Sequence, residues 1–369
     1  MIPAWCPRVL FTSRGPVKKR HPGGSQGGAV SLGGPTSFEK ETREAGKGYV
    51  LAVGEPVSIE RIAEAAEVVD PVFLHSPQYE CEPLSEHLGV ATVLKVECLN
   101  PIRSFKGRGT DYLMHRIEVP ARGLVCASAG NFGQGMAYAA RKRGHRVTVF
   151  AAANASAIKV ERMRGLGAEV VLEGEDFDAA KEAARAHAEK TGGLFVEDGA
   201  LAPIAEGAGT IALELTRLDD PIEAILVPLG DGALVTGIGV WMRRASPSTR
   251  IIGVVAEGAP AMELSWHAAK LVATESIATI ADGIAVRVPV ASAVDDVRSA
   301  VDDVMHVSDS EMIEGMRALF SDAGLMVEPA GAAGIAAAKK LSGELAGTRV
   351  AVIVTGGNIS RDAFERLIG

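Results

Sequence analysis

Apolar residues along the chain follow two rhythms. The segment "SIERIAEAAEVV" opens with Ser58 three residues before Arg61 and carries apolar positions at helical spacing, which predicts a capped helix. Short runs rich in Val and Ile behave differently: "ATVLKVE", "GLVCAS", "RVTVF", "AEVVLEG", "GLFVED", "AILVPLG", "IIGVVAEG" and "RVAVIVTGG". Nearly all are continuous rather than alternating, as expected of parallel strands covered on both faces. Helical segments lie between them. "GQGMAYAARKRG" sets Met136, Ala137, Ala139 and Ala140 on one side and should stop at Gly144. Strand–helix alternation on this scale predicts doubly wound α/β layers. In such sheets ligands sit beyond the carboxyl ends of the strands. No internal repeat is visible.

The 369 residues are enough for about two domains. Hydrophobic residues make up 47% and aromatic residues only 5%, so Ala, Val, Ile and Leu carry the interior. The net charge is −8, and five basic residues (Arg8, Arg14, Lys18, Lys19, Arg20) all precede the first acidic one, Glu39. The body is therefore more acidic than the whole, which argues against nucleic-acid binding. The basic leader, residues 1–48, could be a targeting peptide or a nucleic-acid arm. Its Gly, Ser and Pro content favours a disordered tail, and it has no apolar h-region. The four cysteines, Cys6, Cys81, Cys98 and Cys126, form no C-x-x-C pair and match no zinc spacing. They read as reduced thiols of a cytoplasmic protein. No apolar run reaches the roughly 18 residues of a membrane span.

Chemistry concentrates at strand ends. Four glycine-rich segments each follow an apolar run: "ASAGNFGQG", "PLGDGALVTGIG", "TIADGIA" and "VTGGNIS". Glycines there let backbone N–H groups approach an anion, and a following helix adds its dipole. A single such turn is weak evidence, but four can converge on one crevice. In "NPIRSFKGRGT", Lys106 sits between an aromatic residue and a glycine directly behind a buried strand. Competing signatures fail: Gly207-x-Gly209-x-x-Ala212 follows no strand, and neither a nucleotide P-loop nor a G-x-S-x-G elbow occurs. The scattered histidines form no metal pair, and His145 and His267 read as surface or capping residues. A lysine can act covalently through an imine, and pyridoxal phosphate is the common aldehyde partner. That cofactor needs a lysine, a phosphate cradle, a ring-nitrogen partner and a flat apolar wall. Lys106, the loop 230–234, Thr355 and Phe105 are the candidates.

On "KVECLNPIRSFKGRGT", "ASAGNFGQGMAYAA", "AEGAGTIALE", "VPLGDGALVTGIG", "TIADGIA" and "VTGGN", in that order, the sequence resembles the threonine/serine dehydratases (ammonia-lyases). These are pyridoxal-phosphate enzymes of the tryptophan-synthase-β fold type. The likeness runs from about Ile59 to Asp362. It implies a large domain of residues 49–119 and 196–369, a small domain of residues 120–195, and a homodimer. It implies dehydration and deamination of a small β-hydroxy-amino acid, threonine or serine, to a 2-oxo acid and ammonia. Lys106 would hold the cofactor as an imine and then act as the α-proton base, with the cofactor phosphate as proton donor to the leaving hydroxyl. Phe105 and Gly283 would flank the ring, and Asn131 would bond its hydroxyl. Gly230, Asp231, Gly232, Ala233 and Leu234 would wrap the phosphate, and Thr355 would bond the ring nitrogen. Taken alone, Thr355 reads more readily as a capping residue before Gly356-Gly357; within this constellation it does not. Ser128, Ala129, Gly130, Asn131 and Phe132 would receive the substrate carboxylate.

Three departures from that family pattern matter. Asp231 and Ala233 interrupt the phosphate loop, so Asp231 is expected to point outward or to cap the next helix, turned from the anion. Phe132 replaces the usual histidine. Ala129 stands where racemase relatives carry the serine that returns a proton. Some relatives bind a divalent cation. Glu257, the Ala261 carbonyl and Glu263 stand at about that spacing, although solvated carboxylates explain them as well. With about ten residues after "VTGGN", no appended regulatory domain or feedback control is expected. Rival readings are a racemase, a β-replacement or threonine-synthase-like enzyme, and a non-catalytic cofactor-binding protein.

Overall fold

The computed structural model describes residues 55–369. The leader 1–48, read above as disordered, lies outside them. The first helix is α1 (Ile59–Val68), where the Ser58 hydroxyl accepts the Arg61 amide as the spacing predicts. Among the described residues, ten strands then form two sheets. β1 (Gln78–Glu80), β2 (Ala91–Val96), β7 (Ala224–Pro228), β8 (Arg250–Ala256), β9 (Asp303–Val307) and β10 (Arg349–Val354) make one, in the order β1-β2-β10-β7-β8-β9. β3 (Leu124–Ala127), β4 (Val147–Ala151), β5 (Glu169–Leu172) and β6 (Leu194–Val196) make the other, in the order β5-β4-β3-β6. Every pairing is parallel except that of β1 with β2.

The continuous apolar runs inside the sheets behave as the pattern requires, whereas β5, at the edge of the smaller sheet, is not covered on both faces and exposes Glu169 and Leu172. On β10, Val350, Val352 and Val354 pack into one core cluster, while Ala351 and Ile353 face the cluster on the opposite side of the same sheet. A strand buried on both faces has no polar positions to alternate with. Two strands were not legible in this way. β1 and β9 lie at the two edges of the larger sheet, and on β9 Val304 and Val307 are buried, Asp303 and Met305 half-buried and His306 exposed.

Strand order fixes where a ligand can sit. β7, β8 and β9 run outward in one direction, while β10 inserts beside β7 on the other side. In the second sheet β4 and β5 lie on one side of β3, and β6 lies on the other. Each reversal opens a crevice at the carboxyl ends of the strands. The predicted turns after β3, β7 and β10 all occupy such positions. They precede α3 (Asn131–Lys142), α6 (Ala233–Ala245) and the last helix, α8 (Arg361–Ile368), respectively. The intervening helices used below are α2 (Lys106–Arg116), α4 (Ala157–Gly165), α5 (Ala202–Leu215) and α7 (Pro329–Lys340).

Lys106 does not sit in a loop: it is the first residue of α2. That helix is anchored from below by a fully enclosed ionic network. The Arg108 guanidinium, 0% exposed, donates to Glu97 at 2.9 Å, to Glu214 at 2.6 and 2.9 Å, to Thr210 at 3.0 Å and to Ser76 at 3.1 Å. Lys95 adds a second cation, 2.5 Å from Glu214. Two cations thus face two carboxylates, and the donors are well supplied with acceptors. Such satisfaction is what makes a buried charge cluster tolerable. α5 and α6 pack backbone to backbone, because a Cβ on Gly237 would overlap the Ala205 carbonyl.

Candidate active site

The turns after the strands converge on one cavity of about 430 Å³. Its lining includes every residue the sequence proposed for cofactor and substrate except Ala233. Ala233 is nevertheless present as the first residue of α6, directly behind the lining Gly232. Phe105 ends the approach to α2, and its amide donates to the Thr355 carbonyl at 3.1 Å, tying the lysine segment to the end of β10. The Lys106 Nζ lies 4.9 Å from the Phe105 ring centroid. Thr355 is buried in the wall. It does not cap a helix, since α8 begins at Arg361 with Ser360 as its cap.

Asp231 differs from the expectation. Its carboxylate caps, Oδ1 accepting the Ala233 amide at 2.9 Å, but it is not turned away. Oδ2 reaches into the cavity and lies 2.6 Å from Lys106 Nζ. The turn can deliver it there because Gly232 adopts φ +101°, a conformation L side chains avoid. A second carboxylate that the sequence reading missed, Asp198, lies 2.7 Å from the same nitrogen. It lies two residues past Val196, the last residue of β6, at a strand carboxyl end, and that position was the available signal. Burial disfavours the Lys106 ammonium, but the two carboxylates outweigh it and raise its pKa. Burial, reinforced by Asp231, pushes Asp198 up to about 7. Burial also opposes Asp231, yet the Lys106 charge holds its pKa below the ordinary value.

At the opposite end stands the loop 128–131. Ser128 Oγ accepts the amides of Gly130 at 3.1 Å and Gly133 at 2.8 Å, so this hydroxyl shapes the turn into α3. Phe132 is buried at the start of α3. The Asn131 amide is fixed at both ends: Nδ2 donates to Glu328 Oε1 at 2.6 Å, and Oδ1 accepts from Asn358 at 2.7 Å. Lys159 from α4, 4% exposed, pairs with Asp282 at 2.8 Å and with Glu328 at 3.1 Å. Burial opposes its charge, but Glu328 and Asp282 outweigh burial and raise its pKa. Lys159 and Glu328 were also missed. Lys159 gives no local cue, and Glu328 reads as a residue before the helix-opening Pro329.

The cation candidates are not assembled. Glu257 is exposed, the Ala261 carbonyl accepts the Ser265 hydroxyl at 2.6 Å, and Glu263 lies 3.0 Å from the His306 imidazole. Among the described residues, no group of three His, Cys, Asp or Glu side chains is gathered to hold a metal. Cys81, Cys98 and Cys126 are free and buried.

The cavity fits pyridoxal phosphate. A lysine stands at the head of a helix, an aromatic wall lies beside it, and glycine turns approach closely. A Cβ on Gly230 would lie 3.2 Å from the Gly283 carbonyl, and one on Gly283 would lie 3.0 Å from the Ala330 methyl. One feature opposes the phosphate: two carboxylates at the cradle, which a dianion tolerates only if they hold a proton or a cation between them. The family model described as "Pyridoxal-phosphate dependent enzyme" matches residues 70–356. The chain belongs to that family and is a pyridoxal-phosphate-dependent lyase of fold type II. Among curated proteins it is 36% identical to the L-threonine ammonia-lyase of Thermotoga maritima, covering 85% of this chain and 78% of that one. It is 34% identical to the chloroplastic biosynthetic threonine dehydratase of Arabidopsis thaliana, covering 86% of this chain and 56% of that longer one. Among solved structures, the processed form of threonine deaminase isoform 2 from Solanum lycopersicum superposes with a TM-score of 0.77 at 28% identity, over 87% of this chain and 92% of that one. Maize serine racemase superposes with 0.79 at 26% identity, over 85% and 97%.

Proposed function

We propose that this chain converts L-threonine, and L-serine as a second substrate, to the 2-oxo acid and ammonia. The observation that carries the reading is Lys106: a buried amine at the head of α2, facing a cavity where every predicted turn converges. Bound pyridoxal phosphate would supply an electron sink that acidifies the hydrogen on the substrate's α-carbon. Lys106 would hold the cofactor covalently, with Phe105 and Gly283 against its ring and Asn131 at its hydroxyl. Thr355 would stand at the ring nitrogen, where a neutral hydroxyl does not keep the nitrogen protonated as a carboxylate would. The turn 230–234, with its N–H groups and the start of α6, would take the phosphate. The backbone of residues 129–132 at the start of α3 would take the substrate carboxylate. Once released, the Lys106 amine is the base for the α-proton.

A racemase is the second reading, favoured by the likeness to maize serine racemase. It requires an acid on the far side of the substrate. Ala129 lines the cavity and has no proton to give, and the Ser128 hydroxyl accepts two backbone amides that fix it in the turn. The lack of a proton on Ala129 supports elimination with little racemisation. We also infer a large part, residues 49–119 and 196–369, and a small part, residues 120–195; the two sheets support this, since β3, β4 and β5 fall inside the small part and β6 lies across its boundary. A homodimer in the cytoplasm completes the reading, and the free, buried thiols of Cys81, Cys98 and Cys126 support a reducing compartment. Among the described residues, no helix is long and apolar enough to cross a membrane. The test is a panel of β-hydroxy-amino acids assayed for ammonia and 2-oxo acid, with chiral chromatography of the amino acid left over. Threonine and serine should yield both products. D-serine formed as fast as pyruvate would favour the racemase.

A further inference from the structure

The cavity holds a second lysine, Lys159, beside the loop that opens α3. Its stem crosses that loop: a Cβ on Gly130 would lie 2.7 Å from Lys159 Cδ and 3.4 Å from its Nζ. Only the bare Cα at 130 lets the ammonium lie there. The loop itself offers neutral donors. Ser128 Oγ takes the amides of Gly130 and Gly133, and the Phe132 ring has no polar atom to add. The two carboxylates on Lys159 differ in standing. Glu328 lies 3.1 Å from Nζ, is 2% exposed and also accepts Asn131 Nδ2, so it is a fixed partner. Asp282 accepts from Nζ at 2.8 Å through both oxygens, yet its side chain is 48% exposed. Among the described residues its carboxylate makes no other hydrogen bond. An exposed carboxylate loses little by exchanging a protein cation for water, whereas a buried one loses much. Asp282 is the exchangeable partner.

We propose, on the reading of the site given above, that Lys159 is a specificity-determining residue whose ammonium ion binds the α-carboxylate of the amino-acid substrate, which displaces Asp282 from it. The exchange is one carboxylate for another, so Lys159 has two anionic partners before and after. The substrate carboxylate then lies between this cation and the backbone amides at the start of α3. A charge-assisted hydrogen bond adds to that loop what its neutral donors lack. Burial opposes the Lys159 charge, but Glu328 and Asp282 outweigh it, so the ammonium persists. Until substrate arrives, Asp282 holds the nitrogen that the substrate will take. A ligand without a carboxylate has nothing with which to displace it, and the site selects free amino acids over their neutral derivatives.

The test uses L-2-aminobutanoic acid, which has no β-hydroxyl to lose, beside its amide, which has no carboxylate. Each is titrated into the holoenzyme, and binding is read from the change in the cofactor's visible absorption band, without turnover. The unaltered protein should bind the acid at least about tenfold more tightly than the amide, the ordinary worth of a hydrogen bond to a charged group. Lys159→Gln keeps a donor for Glu328 but drops the charge. It should weaken the acid by about tenfold or more and the amide by less than about threefold, and with threonine KM should rise more than kcat falls. Asp282→Asn should instead tighten the acid severalfold, because the competitor for the ammonium is gone. Equal weakening of acid and amide in Lys159→Gln, or none, would leave Lys159 a structural role at most and overturn the proposal. An unchanged or weaker acid in Asp282→Asn would overturn it too. Should Lys159→Gln fail to fold, that second variant and the acid-to-amide ratio of the unaltered protein decide alone, and a ratio near one counts against the proposal. Selection of acid over amide without release of 2-oxo acid from threonine would refute the dehydratase reading and leave this one standing.

Discussion

Asp231 Oδ2 lies 2.6 Å from Lys106 Nζ, across 125 positions of sequence. The same carboxylate accepts the Ala233 amide through its other oxygen. One side chain therefore caps α6 and sets the charge state of the lysine.

Asp231→Asn separates those two roles. The amide oxygen can still accept the Ala233 N–H, but the charge beside Lys106 is halved. Only the neutral amine attacks an aldehyde, and Lys106 is kept protonated by its carboxylates despite burial. The pH at which apo-protein captures pyridoxal phosphate at half its maximal rate should move down by about one unit or more. Stopped-flow absorbance reads this directly. An unchanged or higher midpoint would show that Asp231 does not control the amine.

Arg108→Ala should destabilise the fold by about 3–5 kcal/mol, because it strands Glu97 and Glu214 as buried charges facing only Lys95. Urea unfolding measures the loss. A change below about 1 kcal/mol would mean that water enters and solvates the network.

Two carboxyls should tilt stability against pH in opposite senses. Burial opposes ionisation of Glu214, but Arg108 and Lys95 bring it down to about 2 from 4.5. Its contribution is present above about pH 4.5 and is lost as pH falls through about 2. Asp198 is raised from 3.8 to about 7, so its contribution to the apo-protein is full below about pH 3.8 and is lost as pH rises through about 7. Unfolding free energies of apo Asp198→Asn measured from pH 4 to pH 8 should therefore decline less with rising pH than those of the unaltered protein. A steeper decline in the variant would reverse the sign assigned here.

Much of this was legible because burial on both faces leaves a strong trace. The runs that became β2, β3, β4, β7, β8 and β10 are continuous and apolar, and the glycine turns after β3, β7 and β10 mark the crevice. β1 and β9 left no such trace, since an edge strand is half solvated and carries residues such as His306. The cradle was visible through its glycines, which must let backbone approach backbone. Asp198, Lys159 and Glu328 were not, because each depends on a partner more than 90 positions away: Lys106, Asp282 and Asn131 respectively. Local pattern reports which face is buried, but not which charges meet across the crevice. The electrostatic objection to Asp231 was sound for a phosphate alone. It did not count Lys106, whose cation the carboxylate faces.

The central claim is that Lys106 performs elimination on a β-hydroxy-amino acid. The most direct measurement is the yield of 2-oxobutanoate and ammonia from L-threonine by the purified chain reconstituted with pyridoxal phosphate, beside Lys106→Ala. Equal amounts of the two products, and neither from the variant, are predicted. A protein that holds the cofactor on Lys106 yet releases no 2-oxo acid from threonine or serine, or a Lys106→Ala variant that turns over normally, would contradict the account.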